Sequence, residues 1–109
     1  MNREFIRTEI FDEDWKEAGL NDDDLRELEQ FLLKNPQAGR VIPGLSGGRK
    51  LRVALEGRGK SGGIRVIYVD VVVREHIYLL LAYPKSVQPS LTMEQKRNLN
   101  RIIDIIKEG

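Results

Sequence analysis

Basic side chains are concentrated in the middle of this sequence, in a combination suited to binding an anion. Arginine offers a planar fork that matches the oxygens of a phosphate, and lysine a compact point charge. The segment therefore predicts a polyanionic partner, and a solvated surface neutralised by the rest of the fold is the alternative. Between positions 40 and 65 a single acid, Glu56, stands beside seven basic residues: Arg40, Arg49, Lys50, Arg52, Arg58, Lys60 and Arg65.

The whole chain is nearly neutral, but its charges are unevenly distributed. The formal net charge is +1 over 109 residues. Residues 1–36 hold five Lys or Arg against eleven Asp or Glu, whereas residues 37–109 hold thirteen against six. We interpret the acidic residues of the first third as an offset to the basic residues of the rest, which keeps the whole chain nearly neutral and confines the positive potential to one local surface.

Arg65 is the most informative of these cations because it lies near the start of an apolar run. It follows a glycine pair and opens the segment Ile64–Val71, which has the composition of a central strand. An unpaired guanidinium is very costly to bury, so Arg65 either pairs with an acid or faces a cleft. Glu56 and Asp70 are the candidate partners in the first case, and in the second Arg65 would bind a phosphate.

Three strands joined by hairpins would bring further cations to Arg65. Lys50 and Arg52 alternate with apolar residues on the preceding strand, and Arg58 and Lys60 lie in the glycine-rich turn between the two strands. Lys85 follows the next strand, beside Tyr83. We therefore expect one basic cleft with an exposed aromatic ring at its edge, a combination that suits single-stranded RNA. Its expected members are Lys50, Arg52, Arg65, Lys85 and Tyr83.

Four other patterns resemble functional motifs but fit ordinary structure better. Gly57–Gly62 matches a dinucleotide-binding glycine pattern, yet a strand rather than a helix follows it. Its Gly-Lys-Ser ending lacks the first glycine of a phosphate-binding loop, because that position is Ala54. His76 is expected in an exposed hairpin turn without a catalytic partner. Asp22–Asp24 suit the first turn of a helix better than a metal site.

The helices are predicted from their caps and apolar spacing. After a short first strand at Phe5-Ile6 that leads through Ile10-Phe11, Asp12 is expected to cap a helix over 13–18. A second helix starts at Asn21 and ends at Asn35-Pro36. Thr92 and Gln95 form a capping box for a final helix.

The strands complete a single α+β domain over residues 1–109. Residues 36–49 form a loop, a strand begins at Lys50, and 64–71 and 77–83 form two more around a turn at 74–76. These elements predict a small, mostly antiparallel sheet with two N-terminal helices and one C-terminal helix. The sequence contains no Cys and no apolar stretch long enough to span a bilayer. We therefore expect a cytoplasmic domain with no membrane association, cofactor or metal.

Five segments contain a distinctive combination of motifs: Val41–Gly44, Arg49–Arg52, Gly57–Tyr68, Tyr78–Lys85 and Leu91-Thr92. With this combination the chain resembles the RelE/HigB-type toxins of bacterial toxin–antitoxin modules, most closely the HigB-like branch. The resemblance covers nearly the whole chain and implies a microbial-RNase-like α+β fold. It also implies a cognate antitoxin, encoded adjacently and often of the helix-turn-helix type, and cleavage of mRNA in the A site of the ribosomal 30S subunit.

The resemblance also implies roles for individual residues in a metal-free attack of the ribose 2′-hydroxyl on the adjacent phosphate. Arg65 matches the phosphate-binding arginine, and Lys60 matches a basic position able to serve as general acid or base. Lys85 would shield the leaving group or bind a flanking phosphate. The tyrosine role that the family places near Leu91-Thr92 is either vacant in this chain or taken over by Tyr83. A catalytically decayed RNA- or antitoxin-binding module is the alternative function. The implied RNA-binding residues are Arg49, Lys50, Arg52 and Arg58.

Overall fold

The computed structural model describes residues 3–54 and 63–108. Glu56, Arg58, Lys60 and the glycine motif Gly57–Gly62 lie outside these ranges. The strands are β1 Glu4–Arg7, β2 Arg40–Val41, β3 Arg49–Val53, β4 Ile64–Val71 and β5 His76–Pro84. The helices are α1 Glu9–Glu17, α2 Asp22–Lys34 and α3 Met93–Glu108, and a short 3-10 helix spans Val72–Arg74.

The five strands form one mixed sheet in the order β1-β5-β4-β3-β2. β1 runs parallel to β5, and each of the other neighbouring pairs is antiparallel. The α+β prediction is therefore confirmed, including the three consecutive strands β3, β4 and β5 at the centre of the sheet. The two-residue strand β2 was missed, because it lies inside the predicted loop and has only Arg49 and Lys50 of β3 as partners.

Each face of the sheet carries its own apolar core. On one face, helices α1 and α2 pack Phe11, Trp15 and Leu32 against alternate residues of the central strands. On the other face, α3 packs Leu99 and Ile103. Within the described ranges, no helix has the length and apolar character needed to cross a bilayer.

Helix α1 begins earlier than the sequence indicated. Its N-cap is Thr8 rather than Asp12, so Ile10 and Phe11 belong to the helix and not to the approach of a strand. The Thr8 hydroxyl accepts from the Phe11 N–H at 3.0 Å and donates to the Leu80 carbonyl at 2.7 Å. The bond to Leu80 explains why Thr8 is the N-cap. The pairing of β1 with β5 stops at Leu79, and the Thr8 hydroxyl provides the next partner for β5.

The other two helix starts follow the sequence prediction. Asn21 caps α2, and the Asp24 carboxylate accepts from the Asn21 N–H at 2.9 Å, which completes a capping box. Thr92 and Gln95 make the predicted capping box at the start of α3, with bonds of 3.0 and 3.1 Å. The acids at the start of α2 thus belong to a helix terminus.

A β-bulge in β5 decides which side chains reach the α3 face. The register advances by one residue between Ile67 and Tyr68 of β4, so that Ile67 pairs with Leu81 while Tyr68 pairs with Leu79. Leu80 and Leu81 consequently both join the core under α3. Without this extra residue, strict alternation would place Tyr83 on the same face as Ile77 and Leu79, beneath α1 and α2.

A buried ion pair fastens the N-terminal segment to the central strand β4. The Arg3 Nε donates to the Asp70 carboxylate at 2.8 Å, and the two side chains are 4% and 3% exposed. The hydrogen bond to Asp70 raises the pKa of the Arg3 guanidinium further above its ordinary value. A pair this deep is sensitive to loss of either partner, since the charge that remains would lose its closest counterion.

Replacing Asp70 with alanine is therefore expected to destabilise the fold strongly. Loss of one member of a buried pair costs about 3–5 kcal/mol in the free energy of unfolding, measured by chemical denaturation. Asp23→Ala is the matched control, because Asp23 is 84% exposed in its ion pair with Arg26. Equal effects of the two substitutions would contradict the importance of the buried pair.

Candidate functional site

The register of the central strands places two predicted cations and the predicted tyrosine in one row. Arg52 of β3 pairs with Arg65 of β4, and Arg65 pairs with Tyr83 of β5. Lys50 lies two residues before Arg52 and therefore on the same face of the sheet. This is the α3 face, because Tyr83 and Ile67, the partner of Lys50, both belong to the core beneath α3.

Lys50, Arg65 and Tyr83 line a cleft of about 140 Å³ between the sheet and the start of α3. We call it the α3 cleft. A second hollow, on the side of β2, is lined by Arg40 and Arg52 and shares Lys50 and Arg65 with the first. The remaining walls of the α3 cleft are Ile42, Pro43, Pro89, Ser90, Leu91 and Lys96.

Polar contacts with α3 hold the loop that forms one wall of the α3 cleft. The Asn100 side chain donates to the Gly44 carbonyl at 2.6 Å, and the Lys107 ammonium donates to the Ser46 carbonyl at 2.5 Å. The Ser46 hydroxyl contacts the Asp104 carboxylate at 2.9 Å. Pro43 directly precedes this fastened segment, so the position of the wall depends on the docking of α3.

Arg65 has no carboxylate partner among the described residues. Asp70, one of its two candidate partners, pairs with Arg3, and the other, Glu56, lies outside the described ranges. The Arg65 side chain is half-buried and lines both hollows. A guanidinium that lines two surface hollows can bind an anion that enters from solvent.

Tyr83 is buried, which corrects the expectation of an exposed ring. It is 7% exposed, because the segment before α3 forms the opposite wall of the cleft and α3 packs over β5. Burial raises the pKa of the Tyr83 phenol, and the nearby charge of Arg65 partly opposes that rise. Tyr83 is therefore a neutral phenol near pH 7, able to donate a hydrogen bond but unsuited to accept a proton as a phenolate.

The other predicted residues occupy different places. Lys85 is exposed just after β5, where its backbone N–H donates to the Gly63 carbonyl at 3.2 Å, and its side chain is not part of the α3 cleft wall. The Arg49 guanidinium donates to the carbonyls of Gln37 and Gly39 at 3.2 and 2.8 Å. Arg49 pairs with Tyr68, which packs on the α1–α2 face, so it lies on the face opposite the cleft.

His76 does not lie in the turn, contrary to the prediction. It begins β5 and is half-buried, with Nδ1 3.4 Å from the Tyr78 hydroxyl and Nε2 3.4 Å from the Glu4 carboxylate. The turn closes one residue earlier, at Glu75, whose backbone has positive φ. His76 pairs with Val71 of β4 and Tyr83 pairs with Arg65, six positions along the same strand. The two ends are roughly 20 Å apart, so His76 lies far from the cleft.

Two cations of the site went unrecognised in the sequence. Arg40 belongs to the basic segment, but the sequence predicts a loop there, because a strand of two residues gives no detectable pattern. Lys96 of α3 could have been recognised from the sequence by its helical spacing, because it precedes the buried Leu99 by three residues and Ile103 by seven. A lysine that continues an apolar helical stripe must face either the core or a cleft at its edge.

Comparison with known proteins supports the fold assignment. No family model matches the chain. A mutant of the E. coli toxin RelE in the free state shares its fold with a TM-score of 0.58 and 15% sequence identity, over 82% of this chain and 90% of that one. The intact E. coli RelBE toxin–antitoxin complex contains a chain with a TM-score of 0.49 and 14% identity, over 72% of this chain and 92% of that one.

The coupling between Arg65 and Tyr83 can be tested by titration. In Arg65→Gln the pKa of the Tyr83 phenol should rise further, because the charge that favours its phenolate is removed. The phenolate absorbance of each protein would be compared with that of the same protein carrying Tyr83→Phe, with circular dichroism as a check of folding. Arg101→Gln, an exposed substitution on α3, serves as the control. An unchanged or lowered pKa in Arg65→Gln would contradict the coupling.

Proposed function

We propose that this chain is the toxin of a type II toxin–antitoxin module, of the RelE/HigB type and its HigB-like branch. In this proposal it is a ribosome-dependent mRNA endonuclease that inhibits translation. The main support is the convergence of Lys50, Arg52 and Arg65 on one face of the sheet, where no carboxylate of the described residues pairs with them. The fold that the chain shares with the RelE mutant agrees with this proposal.

The cleft suits the charge that develops during RNA cleavage. The ribose 2′-oxygen bonds to the adjacent phosphorus, the bond from phosphorus to the 5′-oxygen breaks, and the phosphorane between them carries extra negative charge. Arg65 would bind two phosphate oxygens through its fork, and Lys50 would add a second positive charge beside it. The products are a 2′,3′-cyclic phosphate and a 5′-hydroxyl, formed without a metal ion.

Proton transfer needs one group to accept the 2′-hydroxyl proton and another to protonate the leaving 5′-oxygen. Tyr83 in its neutral form suits the second task, or a hydrogen bond to the phosphate. Lys60 and Arg58, which lie outside the described residues, keep the roles that the resemblance implies as predictions. Lys85, at the end of β5, would reach a flanking phosphate or the leaving group.

The proposal includes two partners in the cytoplasm. The substrate is mRNA presented in the A site of the 30S subunit, and the inhibitor is an antitoxin of the helix-turn-helix type encoded beside the toxin. An adjacent open reading frame that encodes a small helix-turn-helix protein would support this pairing.

A binding module without catalytic activity is the second candidate. Two observations favour it: the only histidine of the chain lies far from the cleft, and burial keeps Tyr83 protonated. Such a module would hold RNA or antitoxin in the same cleft, with no group to deprotonate the 2′-hydroxyl.

Substitution of Arg65 by alanine distinguishes these functions. Wild-type protein induced without its antitoxin should arrest bacterial growth, and Arg65→Ala should abolish the arrest while the fold is retained. Loss of one donor to a developing oxyanion costs about 3–4 kcal/mol, or roughly 10²–10³-fold in the rate of mRNA cleavage on programmed ribosomes.

Arg101→Ala, which removes an exposed arginine of α3, is the matched control and should remain toxic. A folded wild-type protein that neither arrests growth nor cleaves ribosome-bound mRNA would support the binding module instead. Full activity of Arg65→Ala would overturn the assignment of Arg65.

A further inference from the structure

Lys96 occupies an unusual place for a lysine, on the side of α3 that packs against the sheet. It precedes Leu99 by three residues and Ile103 by seven, and these two side chains are 3% and 0% exposed. Residues at this spacing share one face of a helix. Lys96 is half-buried and lines the α3 cleft at the point where the apolar stripe ends.

The start of α3 is fixed firmly enough to hold Lys96 in position. The Thr92–Gln95 capping box closes the first turn, and the Gln88 side chain donates to the Gln95 side chain at 2.5 Å. The Lys96 N–H donates to the Thr92 carbonyl at 3.0 Å. The backbone that carries the lysine is thus tied to both the helix and the segment before it.

No acid of the described residues neutralises Lys96. The structure shows no ion pair for it within residues 3–54 and 63–108, and Glu94, the acid of the first turn of α3, is exposed. Lys50 and Arg65 line the same cleft and carry the same charge. A cleft lined by three like charges, and by no acid of the described residues, is suited to an anionic ligand.

The basic surface extends beyond a single phosphate. Lys50 and Arg65 belong to both hollows, so Arg40 and Arg52 at the β2 side and Lys96 at the α3 side lie at opposite ends of one continuous surface. The strands from β2 to β4 alone span roughly 10 Å, at a spacing of about 4.8 Å. A ligand that covers this surface must carry more than one phosphate.

We infer that Lys96 binds a phosphate of a single-stranded polynucleotide next to the phosphate held by Arg65. This inference rests on the proposed function for the identity of the polyanion, and it adds a flanking subsite formed by α3. In this proposal Arg65, on the sheet, binds the scissile phosphate, and Lys96, on the helix wall of the cleft, binds the flanking one.

The test uses 2′-O-methyl RNA oligonucleotides, which lack the attacking hydroxyl and cannot be cleaved. Binding to the full chain would be measured by fluorescence anisotropy over a range of salt concentrations, with a dinucleotide that has one phosphodiester and a tetranucleotide that has three. Lys96→Gln should weaken tetranucleotide binding roughly tenfold, the loss of one charged hydrogen bond. The salt dependence should fall by about 0.7 in logarithmic slope.

Two comparisons isolate the flanking subsite. Lys96→Gln should leave dinucleotide binding unchanged, whereas Arg65→Gln should weaken the binding of both oligonucleotides. Arg97→Gln removes the same charge from the next residue, about 100° around the helix and exposed, and should have little effect. Circular dichroism verifies that each variant is folded.

The inference is overturned if Lys96→Gln binds the tetranucleotide as tightly as Arg97→Gln does, or if Lys96→Gln weakens the binding of both oligonucleotides equally. It is also overturned if the wild type binds neither oligonucleotide. Its outcome is separate from that of the proposed function. Binding that depends on Lys96 in a protein without cleavage activity would support the subsite and refute the nuclease. Cleavage that does not depend on Lys96 would support the nuclease and refute the subsite.

Discussion

The register between β3 and β4 is the constraint on which the rest of the site depends. It sets Arg52 directly opposite Arg65, although like charges at paired positions destabilise a sheet. A slip of one residue would relieve that repulsion, but it would also turn the buried Ile64 and Val66 away from the core under α1 and α2. Burial of apolar side chains on one face therefore enforces the concentration of charge on the other. Gly63 helps to keep the strands close, because any side chain there would collide with the Val53 carbonyl.

Helix α3 both stabilises the fold and shapes the cleft. Its apolar stripe covers β4 and β5, and its polar face fastens the loop that carries Pro43. The beginning of the helix closes over Tyr83 and removes the ring from solvent. Since core packing and cleft geometry share one helix, a change that loosens α3 alters both the stability of the protein and the environment of Arg65.

Local sequence signals were sufficient for the caps of α2 and α3, the central strands and the convergence of Lys50, Arg52 and Arg65. They failed where a partner distant in the sequence decides the outcome. Thr8 starts α1 because the Leu80 carbonyl needs a donor, and Asp70 is unavailable to Arg65 because Arg3 binds it. The bulge in β5 was also invisible, since Leu79–Leu81 are apolar in either register. Tyr83 faces the cleft only through that irregularity, so local sequence signals could establish neither its face nor its burial.

The separation of charge between the two faces of the sheet has a consequence at long range. Acidic side chains lie exposed on α1 and α2, while the cleft cations lie on the opposite face with α3. A molecule with almost no net charge therefore still carries a substantial electric dipole across its thickness. In the field of a large polyanion such a molecule experiences a torque that turns the cleft toward the polyanion before contact. Because the net charge is small, there is little net attraction that would bring another face into contact first.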